Sequence, residues 1–392
     1  MKRRAVVVDD SPICRDQVCE WLEADGDVEV VGVAADGESA IDLITRLRPD
    51  VATIDLRLPG ISGLDVVTVL MARAPLPLLV LTGDPTGDDP ELAFEAIRRG
   101  ALDLLLKPSI HDEDAVRALR AHVRLLATVP VVRHLDGHRA EGYRLQTEPG
   151  VRPPDGYRTP ADPGVRNPDS SRAHAEPTPR ASDGFRTDPA ARPRVPRNPN
   201  DPAVVGIAAS AGGPSALAAV LGALPSDLAA CLAVVQHLPR GFAPSFVSFL
   251  QSRCSLSVQL ATHGLVPRAG TVVLAPDDHH LELIDGKFAL SNGPPFEGHR
   301  PAGTVLLRSL AQLGNAAIGV VLSGIGRDGA DGLRAMRERN AVTLAQDATT
   351  SVVYGMPRAA VEEGAAQQVL PVSAIADAIA AAVVAQRRWR RT

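Results

Sequence analysis

Cysteine is scarce in this chain: Cys14, Cys19, Cys231 and Cys254 are the only four among 392 residues, and no two have a CxxC spacing. That excludes a disulfide framework and implies reduced thiols in a cytoplasm. No run approaches the roughly 20 apolar residues that span a bilayer, so no direct membrane insertion is expected. The N-terminal MKRR leads only into AVVV before Asp9 and Asp10 interrupt it, too short an apolar run for export. An excess of positive charge is also missing. The net charge is −5 with 22% charged residues, which excludes a surface built as a whole for nucleic acid. Residues 203–392 hold no clear helix-turn-helix with a basic recognition helix, so no nucleic acid partner is expected. Lysine is rarest of the charged types: Lys2, Lys107 and Lys287 stand against 38 arginines.

Proline, by contrast, is abundant, and its placement divides the chain. Residues 149–202 contain 13 of the 33 prolines and nine arginines, with only Val151, Val165, Phe185 and Val195 as aliphatic or Phe side chains. Such a segment cannot bury enough apolar surface to offset the entropy of ordering it. It also repeats: EGYR at 141, DGYR at 155, DSSR at 169 and DGFR at 183 stand 14 residues apart. The unit is too short and too poor in apolar residues for a stacked solenoid. A disordered tandem-repeat linker at 126–200 is expected, separating a module at 1–125 from a larger one at 201–392.

In the first module, apolar runs (AVVV, VEVVGVA, VATIDL, LPLLVLTG, LDLLLKPS) alternate with helix-like stretches. Five strands alternating with helices predict a doubly wound parallel sheet, with its chemistry at the carboxyl ends of the strands. Those ends carry Asp9, Asp10, Asp55, Thr82 and Lys107. Three converging carboxylates call for a hard divalent cation such as Mg²⁺. With metal bound, one carboxylate can take a phosphoryl group, Lys107 can pair with its oxygens, and Thr82 can donate a hydrogen bond.

The second module opens on DPAVVGIAASAGGPSALAAVLGALP, read as strand, tight turn and helix. Ser210 falls on that turn and is expected to be exposed at the sheet's carboxyl edge, near helix N-terminal amides able to stabilise an oxyanion. A dinucleotide site is the weaker alternative, because the string lacks the G-x-G-x-x-G order. A second strand runs out at Gln236 and His237, and a third ends in the glycine-rich turn that holds Asp328 and Asp331. A Ser, a His and an Asp at three strand ends suit acyl transfer, the His as base and the Asp as its orienting acid. The order Ser210, His237, Asp328 is not that of α/β-hydrolases, and no G-x-S-x-G elbow is present. Asp277, Asp278, His279 and His280 lack zinc-like spacing and are read as structural. The RRWRR tail is read as a solvated helix end.

Residues 1–125 resemble the receiver domain of two-component response regulators, through VVVDDS, IDLRLPGISGLD, LTGD and GALDLLLKP. The resemblance implies a flavodoxin-like fold, phosphorylation on Asp55 by a histidine kinase, Mg²⁺ held by Asp9, Asp10 and Asp55, and Thr82 and Lys107 as switch residues. Ser62 replaces a usual Asp, and Leu104 stands where an aromatic is usual. The C-terminal 190 residues resemble the catalytic domain of the chemotaxis protein-glutamate methylesterase/glutaminase (CheB) family, through GIAASAGGP, VVQHLPRGF, VVLAPDDHHLEL, NGPPFEGHRP, VLSGIGRDGADGL and AQDATTSVVYGMPRAA. This implies a doubly wound, mostly parallel α/β catalytic domain without a cofactor of its own. Ser210 is then nucleophile, His237 base and Asp328 orienting acid, acting on glutamyl methyl esters and glutamines of cytoplasmic chemoreceptor helices. It also implies that the unphosphorylated receiver restricts the catalytic cleft. Ala211 replaces a Thr and Ile325 a Met found in other members. A receiver-linked, non-catalytic adaptor is the other function class, separable from the enzyme only by turnover.

Overall fold

The computed structural model describes residues 2–83, 89–129 and 201–391. All but the first four residues of the expected linker lie outside that set. The N-terminal module runs β1 (Arg3–Val8), α1 (Pro12–Glu23), β2 (Val28–Ala34), α2 (Gly37–Leu47), β3 (Val51–Asp55), α3 (Gly63–Arg73), β4 (Leu78–Thr82), α4 (Asp89–Arg98), β5 (Asp103–Leu106) and α5 (Glu113–Leu126). Its strands pair in parallel in the order β2-β1-β3-β4-β5, the expected doubly wound arrangement. Local chemistry starts the helices. Ser11, Asp36, Ser62 and Asp112 each accept a main-chain N–H of the first turn, which satisfies donors a helix leaves open. Ser62, the departure from the usual Asp, is therefore the N-cap of α3.

Alternate strand residues feed two cores. Val6, Val8, Ile54 and Val80 pack with Ile44, Val66 and Leu70, whereas Val7, Leu79 and Leu81 pack with Val18, Leu22, Leu119 and Val123. Leu104 is fully enclosed in the first of these.

The C-terminal module runs β6 (Ala203–Ala209), α6 (Gly213–Ala223), β7 (Ala230–Gln236), α7 (Ala243–Gln251), β8 (Ser257–Leu260), β9 (Thr271–Leu274), β10 (His280–Ile284), β11 (Lys287–Ser291), α8 (Gly303–Ala311), β12 (Ala317–Val321), α9 (Ala330–Glu338), β13 (Val342–Gln346), α10 (Met356–Glu362), β14 (Gln368–Leu370) and α11 (Val372–Arg391). Seven strands form one parallel sheet in the order β14-β13-β12-β6-β7-β9-β8, and β10 and β11 form a separate antiparallel hairpin. Every residue of β6 and β7 is buried, as expected of a parallel sheet covered on both faces. Among the described residues no helix is long and apolar enough to cross a membrane.

The two modules belong to one compact unit. Phe94 of α4 stands 5.1 Å from Phe246, 5.4 Å from Phe249 and 6.1 Å from Phe242, ring centre to ring centre. In a chain with seven phenylalanines, four are spent on this one contact. A second apolar cluster runs from the α1–α5 face of the first module to Ala211 and Val353 of the second.

Removing the Phe94 ring should loosen this docking. Phe→Ala in a packed site costs about 3 kcal/mol, enough to populate separated modules. Small-angle scattering of Phe94→Ala should show a larger radius of gyration than the parent protein; an unchanged radius would rule out Phe94 as the contact that holds the modules together.

Candidate active site

Both sheets place their polar residues where strand order reverses, the position at which the carboxyl ends of a parallel sheet open into a crevice. In the second module the reversal lies between β6 and β12. Ser210 follows β6, His237 follows β7, and Asp328 lies in the loop between β12 and α9. These three strands are adjacent, so residues far apart in sequence meet at one edge. Ala209 pairs with Gln236 in register, which makes Ser210 and His237 the next residues on neighbouring strands.

Asp328 is the most constrained group. It is 2% exposed, and its Oδ2 lies 2.9 Å from His237 Nε2. The main-chain N–H of Gly303 donates to Oδ2 (2.6 Å), and those of Thr304 and Gly329 to Oδ1 (2.8 and 2.9 Å). Ala302, the N-cap of α8, offers no side-chain acceptor. Asp328 thus caps α8 from another loop, with the positive end of the helix dipole against its charge. Burial alone would raise its pKa. The His237 hydrogen bond, the imidazole charge and the amides of Thr304 and Gly303 outweigh it and hold the carboxyl well below the usual range. Gly303 is needed here because a Cβ would lie 2.4 Å from Ala208 Cβ.

His237 has one ring nitrogen committed to Asp328. The other, Nδ1, is buried and has no hydrogen-bond partner among the described residues. A neutral imidazole with Nε2–H donated to Asp328 leaves Nδ1 as a free acceptor. Ser210 is 8% exposed, not exposed as its place on a turn suggested. The turn is packed over by the β12–α9 loop: a Cβ on Gly324 would come 2.9 Å from Ser210 Cβ. The apolar cluster shared with the first module also reaches Ala211.

Residues that sequence patterns did not flag hold this turn. Gln236 Nε2 donates to the carbonyls of Ser210 (2.7 Å) and His237 (3.0 Å), tying the two strand ends together. Gly213 leaves room for that amide, since a Cβ would lie 2.0 Å from Gln236 Oε1. Ser323 Oγ donates to Ala211 O (2.7 Å) and accepts the Val353 N–H (2.9 Å). An amide directly before His237 at the end of an apolar strand was a readable signal for Gln236; Ser323 had none. Of the acid–histidine string, Asp277 accepts the Gly241 N–H, and His280 is bonded to Pro294 O and the Ala302 N–H. Both are structural, as expected.

In the first module the reversal lies between β1 and β3. The carboxylates of Asp9, Asp10 and Asp55 have ligand atoms within 4.8 Å of one another. Lys107 Nζ bridges Asp9 Oδ2 (2.7 Å) and Asp55 Oδ2 (2.5 Å). Burial pushes the Asp55 carboxyl above its ordinary value despite the hydrogen bond from Lys107. Thr82 ends the neighbouring strand and is fully buried.

Residues 5–120 match the family described as response regulator receiver domain, and residues 205–379 match CheB methylesterase. The fold and sites therefore define a receiver joined to a methylesterase-type domain. A protein-glutamate methylesterase/protein-glutamine glutaminase 2 of Anaeromyxobacter dehalogenans is 40% identical over 96% of both chains. A protein-glutamate methylesterase/protein-glutamine glutaminase of Symbiobacterium thermophilum is 37% identical over 97% of both. The crystal structure of the Thermotoga maritima CheB methylesterase catalytic domain is 35% identical, covering 46% of this chain and 98% of that one, with a TM-score of 0.45. This chain belongs to the protein-glutamate methylesterase/protein-glutamine glutaminase family.

The Asp328 geometry predicts a pH-dependent stability. A carboxyl whose folded pKa is depressed stabilises the fold above its unfolded value, near 3.8, and loses that contribution as pH falls toward the folded value. Asparagine has one oxygen for four donors, so Asp328→Asn should cost about 2–4 kcal/mol. In urea titrations the deficit should hold from about pH 7 to about pH 5 and shrink below the ordinary carboxylate range. A deficit that grew on acidification would contradict the assignment.

Proposed function

We propose that this chain is a phosphorylation-controlled serine hydrolase that removes methyl groups from glutamyl γ-esters of chemoreceptors and deamidates receptor glutamines. It would work in the cytoplasm and provide adaptation in a chemotaxis-type pathway. The observation that carries the reading is the buried Asp328–His237 pair on strands adjacent to Ser210.

The chemistry follows from that pair. His237 Nδ1 accepts the Ser210 hydroxyl proton as Oγ attacks the γ-carbonyl carbon. Asp328 stabilises the imidazolium without being protonated itself. The two ring nitrogens exchange the roles they have in the common serine-protease triad, where Nδ1 faces the Asp. The N-terminus of α6, which begins three residues after Ser210, favours the negative charge on the carbonyl oxygen. The imidazolium then protonates the leaving group, methanol from an ester or ammonia from an amide. Water, deprotonated by His237, hydrolyses the acyl-serine and frees the glutamate.

Control would come from the receiver, with a histidine kinase as the physiological phosphodonor. Three closely set carboxylate groups are a hard-oxygen donor set that suits Mg²⁺. When bound, Mg²⁺ would offset their mutual repulsion and the charge of an incoming phosphoryl group. Asp55 would accept the phosphoryl group, Lys107 would exchange its present carboxylate partners for phosphoryl oxygens, and Thr82 would donate its hydroxyl. Docked, the receiver's apolar cluster reaches Ala211, next to Ser210, and phosphorylation would release that cover.

Methanol release from methylated receptor membranes, with and without a small phosphodonor, tests the proposal. Ser210→Ala should lose all turnover while keeping its unfolding midpoint. Asp328→Asn should retain a residual rate above Ser210→Ala. Asp55→Asn should run at the basal rate and ignore the phosphodonor. The isolated 201–392 module should exceed the unphosphorylated full chain. Full activity in Ser210→Ala would refute the nucleophile, and a folded 201–392 module no faster than the full chain would refute the cover.

A further inference from the structure

Outside the Ser210, His237 and Asp328 set, another histidine touches the site. His299 stacks on His237 with ring centres 3.9 Å apart and planes 11° from parallel. The backbone that carries it is a built feature. Phe296 and His299 exchange main-chain hydrogen bonds, N to O, of 3.0 and 2.9 Å. Between them Glu297 (φ 49°) and Gly298 (φ 85°) both adopt left-handed backbone, the signature of a type I′ two-residue turn.

Anchors on several sides hold this turn. Arg300 Nη1 donates to Gly293 O (3.0 Å). The Arg308 guanidinium lies 5.0 Å from the Phe296 ring centre. His280 bonds Pro294 O and the Ala302 N–H on either side of the turn. Four residues beyond His299, α8 begins with the Gly303 and Thr304 amides that fix Asp328. One short segment therefore positions both the acid of the pair and a flat ring against its imidazole.

His299 is partly open to solvent although its ring lies on His237. Burial of the ring and the neighbouring His237 both disfavour its imidazolium, so it titrates below an ordinary histidine. A neutral ring can stay stacked when His237 takes up the Ser210 proton, since a neutral π face tolerates an adjacent cation. A charged ring at this distance would repel it.

We propose that His299 is a positioning residue for the hydrolysis, a stacking platform that holds the His237 ring in the orientation that leaves Nδ1 free for Ser210. The proposal rests on the reading of Ser210 as nucleophile and His237 as base. What it requires of position 299 is a flat ring, not a proton donor.

Three variants of the full chain separate these requirements: His299→Ala, His299→Gln and His299→Phe, each activated with Mg²⁺ and a small phosphodonor. Two readouts are compared, methanol release from receptor membranes and covalent labelling of Ser210 by a small fluorophosphonate, which needs no receptor binding. His299→Ala and His299→Gln should lose roughly tenfold in kcat with KM unchanged, and Ser210 labelling should slow in parallel, as expected for loss of an aromatic pair. His299→Phe should restore both to within about threefold, because it keeps the ring and removes the nitrogens. In proton NMR with labelled histidines, ring-current shifts of the His237 protons should vanish in His299→Ala and persist in His299→Phe. Labelling at the parent rate in His299→Ala would overturn the proposal, as would a His299→Phe variant as slow as His299→Ala. Failure of the underlying reading looks different: Ser210→Ala would still be labelled by the fluorophosphonate.

Discussion

The carboxyl edge of the second module's sheet is organised around one buried carboxylate. Asp328 gathers three backbone N–H groups and one imidazole N–H, of which the Gly329 N–H is shared with Thr304 Oγ1. Without Asp328 the first turn of α8 has buried, unpartnered amides. Without the amides the carboxylate would be driven toward protonation and could no longer stabilise a charged His237. On the proposed mechanism, a hydrogen-bonding demand of the fold and an electrostatic demand of the chemistry fall on the same two oxygen atoms. This also explains why the approach of α8 is so close, with Gly303 set against Ala208 at the end of β6.

The same geometry occurs twice in the chain with different chemistry. Each sheet reverses its strand order near its centre, and each of those reversals collects polar residues. In the receiver, carboxylates cluster and Lys107 bridges two of them, a set that gains from added positive charge. In the second module a single carboxylate is satisfied by neutral donors, which leaves its charge available to an imidazolium. Apolar surface joins the two modules. The Phe94 cluster and the apolar chain reaching Ala211 are contacts of packing, and packed interfaces switch between discrete arrangements rather than deforming gradually.

Much of this was legible in the residues. Apolar runs alternating with helical periods predicted the first doubly wound sheet, because period and run length reflect burial directly, whereas the fold of the second module was implied by its family motifs. Polar residues stranded at the ends of those runs (Asp9, Asp55, Lys107, Ser210, His237) marked the candidate sites, since a parallel sheet buries everything else. The strand order was not legible in the same way. That β6 lies between β7 and β12, which brings Asp328 beside His237, depends on which strand edges pair, and edge pairing leaves little trace in a local pattern. Ser210 illustrates the limit: its turn suggested an exposed hydroxyl, and contacts from the β12–α9 loop left it 8% exposed.

By itself the sequence determined the two modules, the helix–strand alternation, the residue types at each sheet edge and, through its motifs, the family. These follow from local periodicity and composition. Only the tertiary structure decided how those residues are held. Gln236 clamps two strand ends, Ser323 locks the Ser210 turn, His299 lies flat on His237, and Phe94 meets three phenylalanines more than 140 residues away in the chain. Each is a contact between distant segments, and its geometry is set by the packing of whole helices and strands.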